Sequence, residues 1–463
     1  MGTKQSRGKR VRTKRSEGRL QVRRANVAGI DLGSVEHYVA CPPRDGEANV
    51  KVFGTTTPEL SALAKWLEAE GVESVAMEST GVYWVPLYEL LDARGIEAVL
   101  VDARQIKHVP GRKTDMIDCQ WLQLLHSCGL LRGAFRPADA FCQLRALVRQ
   151  KATLIDERSD WLRRMQKSLD QMNVRVHRAV SDISGVTGMA MIRAIVDGER
   201  DPMAIAKLRN QRCSRSLEQM ADELTGNWRE DHLFNLQQAL AMFDFICERI
   251  AIYEQKIEAV LQGLAIGPDV GPAPEPTCPN KKKLIRARGQ EPLRQALYGT
   301  CKADLTTIDG ISTTTAETVL SELGTDLSAF PSERHFVSFL KLAPKMAISG
   351  GKPVAKRPKG TASTRVGAAL RMAALTLRHS NSALGAAYRR IARRKGAGVA
   401  VFAVARKLAI LIYRMLRYGA AYVDEGAKAY EERFKQARIK TCHQIANQYG
   451  YKLLPINEQT VAA

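Results

Sequence analysis

The feature that most constrains this chain is a change of period along its length. Short β-branched runs fill residues 26–101, and after Ala138 they stop. Val27 to Asp31, Tyr38 to Cys41, Val50 to Phe53, Glu73 to Met77 and Glu97 to Val101 are each bounded by turn residues, so they read as strands. Between them, Leu60, Leu63, Ala64 and Leu67 recur at helical spacing within Pro58 to Glu70, and Val85 to Ala93 reads as a second helix. Three strands and then alternating helix and strand predict an α/β domain with a mixed sheet over residues 25–137.

Everything beyond is expected to be helical. Leu162, Met165, Leu169, Met172 and Val176 recur at spacings of three and four, and so do Phe243, Ile246, Ile250, Tyr253, Ile257 and Val260. That seam, carried twice, predicts a coiled-coil region over 138–262 whose helices pair with each other or with another protomer, interrupted by an insertion from Gly185 to Leu233. Residues 263–292 hold six prolines, and Gly271 to Pro279 cannot form a regular helix, so this stretch is expected to be a linker. A second helical domain is expected over 293–420 and an amphipathic tail over 421–463. The fold class is therefore α/β plus all-α. A faint repeat, Ile183-Ser184-Gly185-Val186-Thr187-Gly188 and Ile308-Asp309-Gly310-Ile311-Ser312-Thr313, has two readings. It is either a helix-hairpin-helix-like element aiming backbone N–H groups at phosphate or an ordinary glycine turn before a helix.

Charge narrows the function. The chain carries 70 Lys and Arg against 48 Asp and Glu, a formal charge of +22, which argues against an ordinary metabolic enzyme and for a polyanionic partner. Residues 1–24 hold ten of those cations against the single Glu17, the pattern of a disordered basic arm. Residues 334–417 hold nineteen and no acid at all, although they include the apolar run Val399 to Leu411. A solvated face mixes both signs, so this segment is expected to grip nucleic acid. The nine cysteines form no C-x-x-C pair, and no apolar run approaches the roughly 18 residues of a membrane span. Reduced thiols, a cytoplasmic and nucleoid-associated location and no membrane partner are the corresponding expectations.

Four acids stand in settings suited to metal chemistry. Asp31 ends an apolar strand before Leu32-Gly33-Ser34, and Glu78 ends another before Ser79-Thr80-Gly81. Asp115 and Asp118, three apart, share one face of the helix that continues through Trp121, Leu124 and Leu125. Each alone reads as a turn former or a helix-start residue. Jointly they form an oxygen-only donor set for Mg²⁺ or Mn²⁺. In Gly29-Ile30-Asp31-Leu32-Gly33, in Met77-Glu78-Ser79-Thr80-Gly81-Val82-Tyr83-Trp84 and in Lys113-Thr114-Asp115-Met116-Ile117-Asp118, the chain resembles the DEDD insertion-sequence transposases, the bridge-RNA-guided serine recombinases.

The resemblance implies a RuvC-like N-terminal domain of the RNase H fold, with a divalent-metal site at Asp31, Glu78, Asp115 and Asp118. The family's second signature is matched by Phe339 to Pro344, by Ile348-Ser349-Gly350-Gly351-Lys352, and by Gly360 and Arg371 before a long apolar helix. By that match residues 293–420 are the C-terminal transposase domain and Ser349 is the covalent nucleophile. Lys345, Lys352, Lys356, Arg357 and Lys359 surround it in sequence. With Arg112, Lys113, Arg365 and Arg371 they are the candidate nucleic-acid contacts. Target and donor DNA, a guiding noncoding RNA, and homodimers assembling to a tetramer are the implied partners. Two competitors remain at this level: a RuvC-like structure-specific nuclease using water, and a non-catalytic nucleic-acid-binding protein.

Overall fold

The computed structural model describes residues 21–44, 47–78, 81–102, 115–211, 213, 215–265, 271–275, 279–287, 289–344, 348–349, 352–353, 364–419, 421 and 426–453. Internal contacts divide the chain into two units, Met1–Arg136 and Pro137–Ala463.

The first unit contains β1 (Val27–Leu32), β2 (Glu36–Arg44), β3 (Glu47–Gly54), α1 (Thr57–Ala69), β4 (Ser74–Glu78), α2 (Trp84–Ala93), β5 (Glu97–Val101) and α3 (Asp115–Ser127). The sheet order is β3-β2-β1-β4-β5. β1 pairs antiparallel with β2 and β2 with β3, whereas β4 runs parallel to β1 and β5 to β4. This mixed sheet is the one the strand spacing predicts. Alternation sorts its side chains. Ala28, Ile30, Val75, Met77 and Leu100 pack against Leu60, Leu63 and Leu67 of α1 and Leu87 and Leu91 of α2, each large side chain contributing roughly 2 kcal/mol on burial. The residues between them turn to the other face, which α3 covers.

In the second unit α4 (Asp139–Gln171) is followed by α5 (Val176–Ala179), α6 (Val186–Val196), α7 (Pro202–Lys207), α8 (Leu217–Leu224) and α9 (Glu230–Gly263). α4 and α9 pack on one another within the chain. Met165 and Leu169 share a core with Leu240 and Phe243, Arg158 acts on Cys247, and Glu254 and Glu258 act on Glu317, the partner of Lys151. Descending positions on α4 therefore meet ascending positions on α9, so the two helices run antiparallel. The heptad seam predicted through Val176 is interrupted, because Asn173 takes φ +60 and ends α4, and Val176 opens α5 within the same core. The 185–233 stretch folds as α6, α7 and α8 onto that core.

The chain continues through α10 (Pro279–Ala287), α11 (Glu291–Cys301), α12 (Thr313–Leu323), α13 (Glu333–Phe339), β6 (Ile348–Ser349), β7 (Lys352–Pro353), α14 (Arg365–Thr376), α15 (Ala383–Lys395), α16 (Ala397–Tyr418) and α17 (Gly426–Gln448). α10 lies inside the proline-rich stretch; proline is tolerated at its first position because that N–H needs no helical partner. Residues 271–275 are non-helical and held down: Arg294 donates to the Pro274 carbonyl, and Ala273 N donates to Gln295 Oε1 at 2.7 Å. The strands expected to stop at Ala138 return only as the two-residue β6 and β7 among the described residues. Of the two glycine repeats, the second makes a left-handed turn at Gly310 (φ +86) with Ser312 capping α12, whereas Gly185 keeps φ −74 as the residue before α6. No helix of the described residues is long and apolar enough to cross a membrane.

Candidate active site

The register of β1 and β4 positions the first two acids. Gly29 pairs with Ala76 and Ile30 with Met77, so Asp31 and Glu78 are the next residues on neighbouring parallel strands, about 4.8 Å apart across the sheet. Ile30 and Met77 point into the α1 and α2 core, so alternation turns Asp31 and Glu78 to the α3 face. Both are half-buried.

α3 reaches that face because β1 carries no side chain at the crossing. A methyl group on Gly29 would stand 2.3 Å from Gln123 N, 2.4 Å from Cys119 O and 2.9 Å from Leu122 Cβ. Two hydrogen bonds set the helix direction: Gln123 Nε2 donates to the Val27 carbonyl at 3.3 Å, and Ser74 Oγ and His126 Nε2 lie 2.8 Å apart, buried. Late residues of α3 thus meet the starts of β1 and β4. Its first turns, which carry Asp115 and Asp118, meet the ends of those strands, where Asp31 and Glu78 stand.

The electrostatics agree with this path. The Cys119 thiol is pushed up to about 11, chiefly by burial and further by the negative charges of Asp31 and Asp118. One sulfur therefore feels carboxylates from β1 and from α3. Asp118 is half-buried. Asp115 begins α3 about 6 Å before Cys119 along the axis, at a helix terminus whose dipole favours anions. Its side chain lies outside the described residues, as do Arg112 and Lys113. Among the described residues no three His, Cys, Asp or Glu side chains form a ready-made metal cluster.

In the other unit, Ser349 pairs with Lys352 and Ile348 with Pro353 in a minimal antiparallel hairpin. The Gly350-Gly351 pair falls between the two strands in sequence, the spacing of a two-residue hairpin loop. The side chains of Ser349 and Lys352 lie outside the described residues, and so do Lys345, Lys356, Arg357 and Lys359 entirely. Arg365 opens α14, where Thr364 Oγ1 accepts from Gly367 N at 3.0 Å, and its guanidinium stands 3.9 Å from Glu322. Arg371 lies over the Phe402 ring at 5.3 Å.

Three features of the site went unread in the sequence. Gly29 is the clearest, and its signal was present: a glycine inside an apolar strand marks a close backbone approach. The buried Ser74–His126 bond joins residues 52 apart and left no local trace. The neutralisation of Glu322 by Arg145, Arg149 and Arg365 is likewise non-local.

Comparison with known families supplies the context. A DEDD-type transposase model matches residues 28–174, which hold the five-stranded sheet from the second residue of β1 onward, α3 and α4. A model described as the transposase IS116/IS110/IS902 family matches residues 302–389, which hold the Ser349 hairpin and α14. Together the two cover just over half of the chain. A search of curated proteins finds no match. Two independent stretches, one around the acids and one around the serine, thus lead to the same family, and the chain belongs to the IS110-family DEDD-type transposases.

Proposed function

We propose that this DNA-processing transposase exchanges strands through a covalent phosphoserine at Ser349, with Asp31, Glu78, Asp115 and Asp118 holding Mg²⁺ or Mn²⁺. The observation that carries this reading is the meeting of Asp31, Glu78 and the first turns of α3 at the carboxyl ends of two parallel strands. The donor set fits a hard divalent cation, because half-buried carboxylates placed side by side repel unless a cation lies between them. Bound there, such ions would stabilise charge on the attacking and leaving oxygens of an in-line phosphoryl displacement.

The rest of the reaction belongs to the chain. Ser349 Oγ forms a bond to phosphorus and gives its proton to solvent; the bond to a sugar oxygen breaks, and that oxygen takes up a proton. The new link is itself a phosphodiester, so a hydroxyl from another strand reverses the step without a nucleotide cofactor. Lys345, Lys352, Lys356, Arg357, Lys359, Arg365 and Arg371, with Arg112 and Lys113, hold the backbones of target and donor DNA, in keeping with the acid-free stretch 334–417. Selection of the DNA by a noncoding RNA, a RuvC-like fold for residues 25–137 and a tetramer of paired homodimers complete the proposal, on the strength of the resemblance.

The test uses the full chain, Mg²⁺, the noncoding RNA transcribed from the element and a plasmid carrying the element with its native flanks. Wild type is expected to yield a protein–DNA adduct that survives SDS, and Ser349→Ala and Asp118→Asn are expected to lose both adduct and strand breaks. Breaks that persist in Ser349→Ala identify a water-using nuclease and overturn the covalent step. Absence of any cleavage by wild type identifies a binder and overturns catalysis.

A further inference from the structure

We infer that the groove between α15 and α17 is a binding site for single-stranded nucleic acid, separate from the acids and the serine. α17 lies outside both family matches. The two helices run parallel, with matching steps of about one turn: Ala427 N donates to the Asn381 carbonyl, Tyr430 packs on Ala386 and Ala387, and Phe434 lies under Arg390. α15 ends at Lys395, one turn after these contacts, whereas α17 continues to Gln448. The second half of α17 therefore projects past its partner helix.

The groove at that end has a volume of about 550 Å³ and is lined by Arg394, Phe434, Arg438, Thr441, Cys442 and Ile445. Ile445 in that lining is 51% exposed, and beyond it Tyr449 and Tyr451 are 72% and 73% exposed, so the apolar face is left open.

Charge complementarity selects the occupant. Residues 389–395 and 433–448 contain nine Lys and Arg and no Asp or Glu. Arg394 and Arg438 have no carboxylate partner among the described residues. The Arg390 guanidinium stacks on the Phe434 ring at 3.6 Å and on Tyr430 at 5.1 Å, and its Nη1 is buried with no hydrogen-bond acceptor among the described residues. Its charge thus rests on rings instead of being cancelled by an acid.

A protein partner with an apolar face would leave these cations unmatched, and a duplex would present its phosphates while keeping its bases inside. An unpaired strand offers both phosphates for Arg394 and Arg438 and open bases for the aromatic and aliphatic side chains, the combination that single-strand grooves use.

The experiment measures binding of the full chain, in the Ser349→Ala background with EDTA, to 20-nucleotide RNA, the DNA strand of the same sequence, and a duplex. No chemistry occurs under these conditions, so failure of the phosphoserine reading leaves the result legible. Arg394→Glu/Arg438→Glu is expected to weaken single-strand binding roughly tenfold and to flatten its log–log salt dependence by about 1.4, for two lost phosphate contacts. Duplex binding should change less than threefold. A strand bearing 4-thiouridine or 4-thiothymidine should cross-link within residues 434–451, and whichever sugar gives the larger loss identifies RNA or DNA as the ligand. Unchanged single-strand affinity and salt slope, or an equal loss on the duplex, overturns the inference. So does a variant that loses self-association in sedimentation while still binding the strand, since the occupant is then a second copy.

Discussion

Gly29→Ala adds one methyl group to the molecule and should disable the proposed metal site without touching any of its acids. The new Cβ would lie 2.3 Å from Gln123 N and 2.4 Å from Cys119 O, both backbone atoms of α3. Carbon reaches its favourable contact with such atoms only near 3.5 Å, so the helix must retreat by about 1 Å. Forced overpacking of this kind costs about 1–3 kcal/mol. Retreat also strains the Ser74–His126 and Gln123–Val27 bonds, at about 1 kcal/mol each. Removing glycine from a strand returns only about 0.5–1 kcal/mol, so the clash wins, by roughly 2–4 kcal/mol. Because α3 carries Asp115 and Asp118, a 1 Å displacement should lower cleavage about a hundredfold. Two further readouts follow α3 directly: hydrogen exchange of its amides should rise, and the buried Cys119 thiol should become accessible to labelling. Gly263→Ala, where the added methyl meets nothing within 4 Å, serves as the neutral control. Wild-type stability, Cys119 protection and cleavage in Gly29→Ala would refute the close packing of α3 on β1 and, with it, the convergence of the acids.

Two further perturbations probe buried polar contacts. Lys151 Nζ and Glu317 Oε1 lie 2.6 Å apart with both side chains almost fully buried; Lys151→Met strands the Glu317 carboxylate and should cost about 3–5 kcal/mol, most of it recovered in Lys151→Met/Glu317→Leu, as equilibrium denaturation would reveal. Burial, followed by the charge of Arg24, holds the His126 imidazole below its ordinary value, so the unfolded chain binds that proton first; stability should fall as pH drops below about 6.5, and His126→Gln should flatten the slope between pH 7.5 and 5.

Elements with a local cause were legible from residue order. The five strands of the first unit and its helices α1 and α2 follow from periods of two and 3.6, and the helical character of the second unit follows from spacings of three and four, because backbone sterics and side-chain direction act over a few residues. The same local view misjudged what depends on a single backbone angle or on distant partners. Asn173 at φ +60 ended a helix that the heptads would have continued, and the 23-residue α17 emerged from a tail read only as amphipathic. The groove beside it needed residues 394 and 438 to be neighbours, which no spacing rule specifies.

The candidate site divides in the same way. Residue order by itself determined which side chains are proposed to carry the chemistry: Asp31 and Glu78 at strand ends, Asp115 and Asp118 one helical turn apart, and a serine before two glycines in an acid-free stretch. Only tertiary structure decided that Asp31 and Glu78 share a face and that Asp118 joins Asp31 at Cys119, since both depend on the β1–β4 register and on a helix seated against Gly29. Strand register and helix seating are settled by complementary surfaces brought together from residues tens of positions apart, and such matching has no imprint in the order of neighbouring residues.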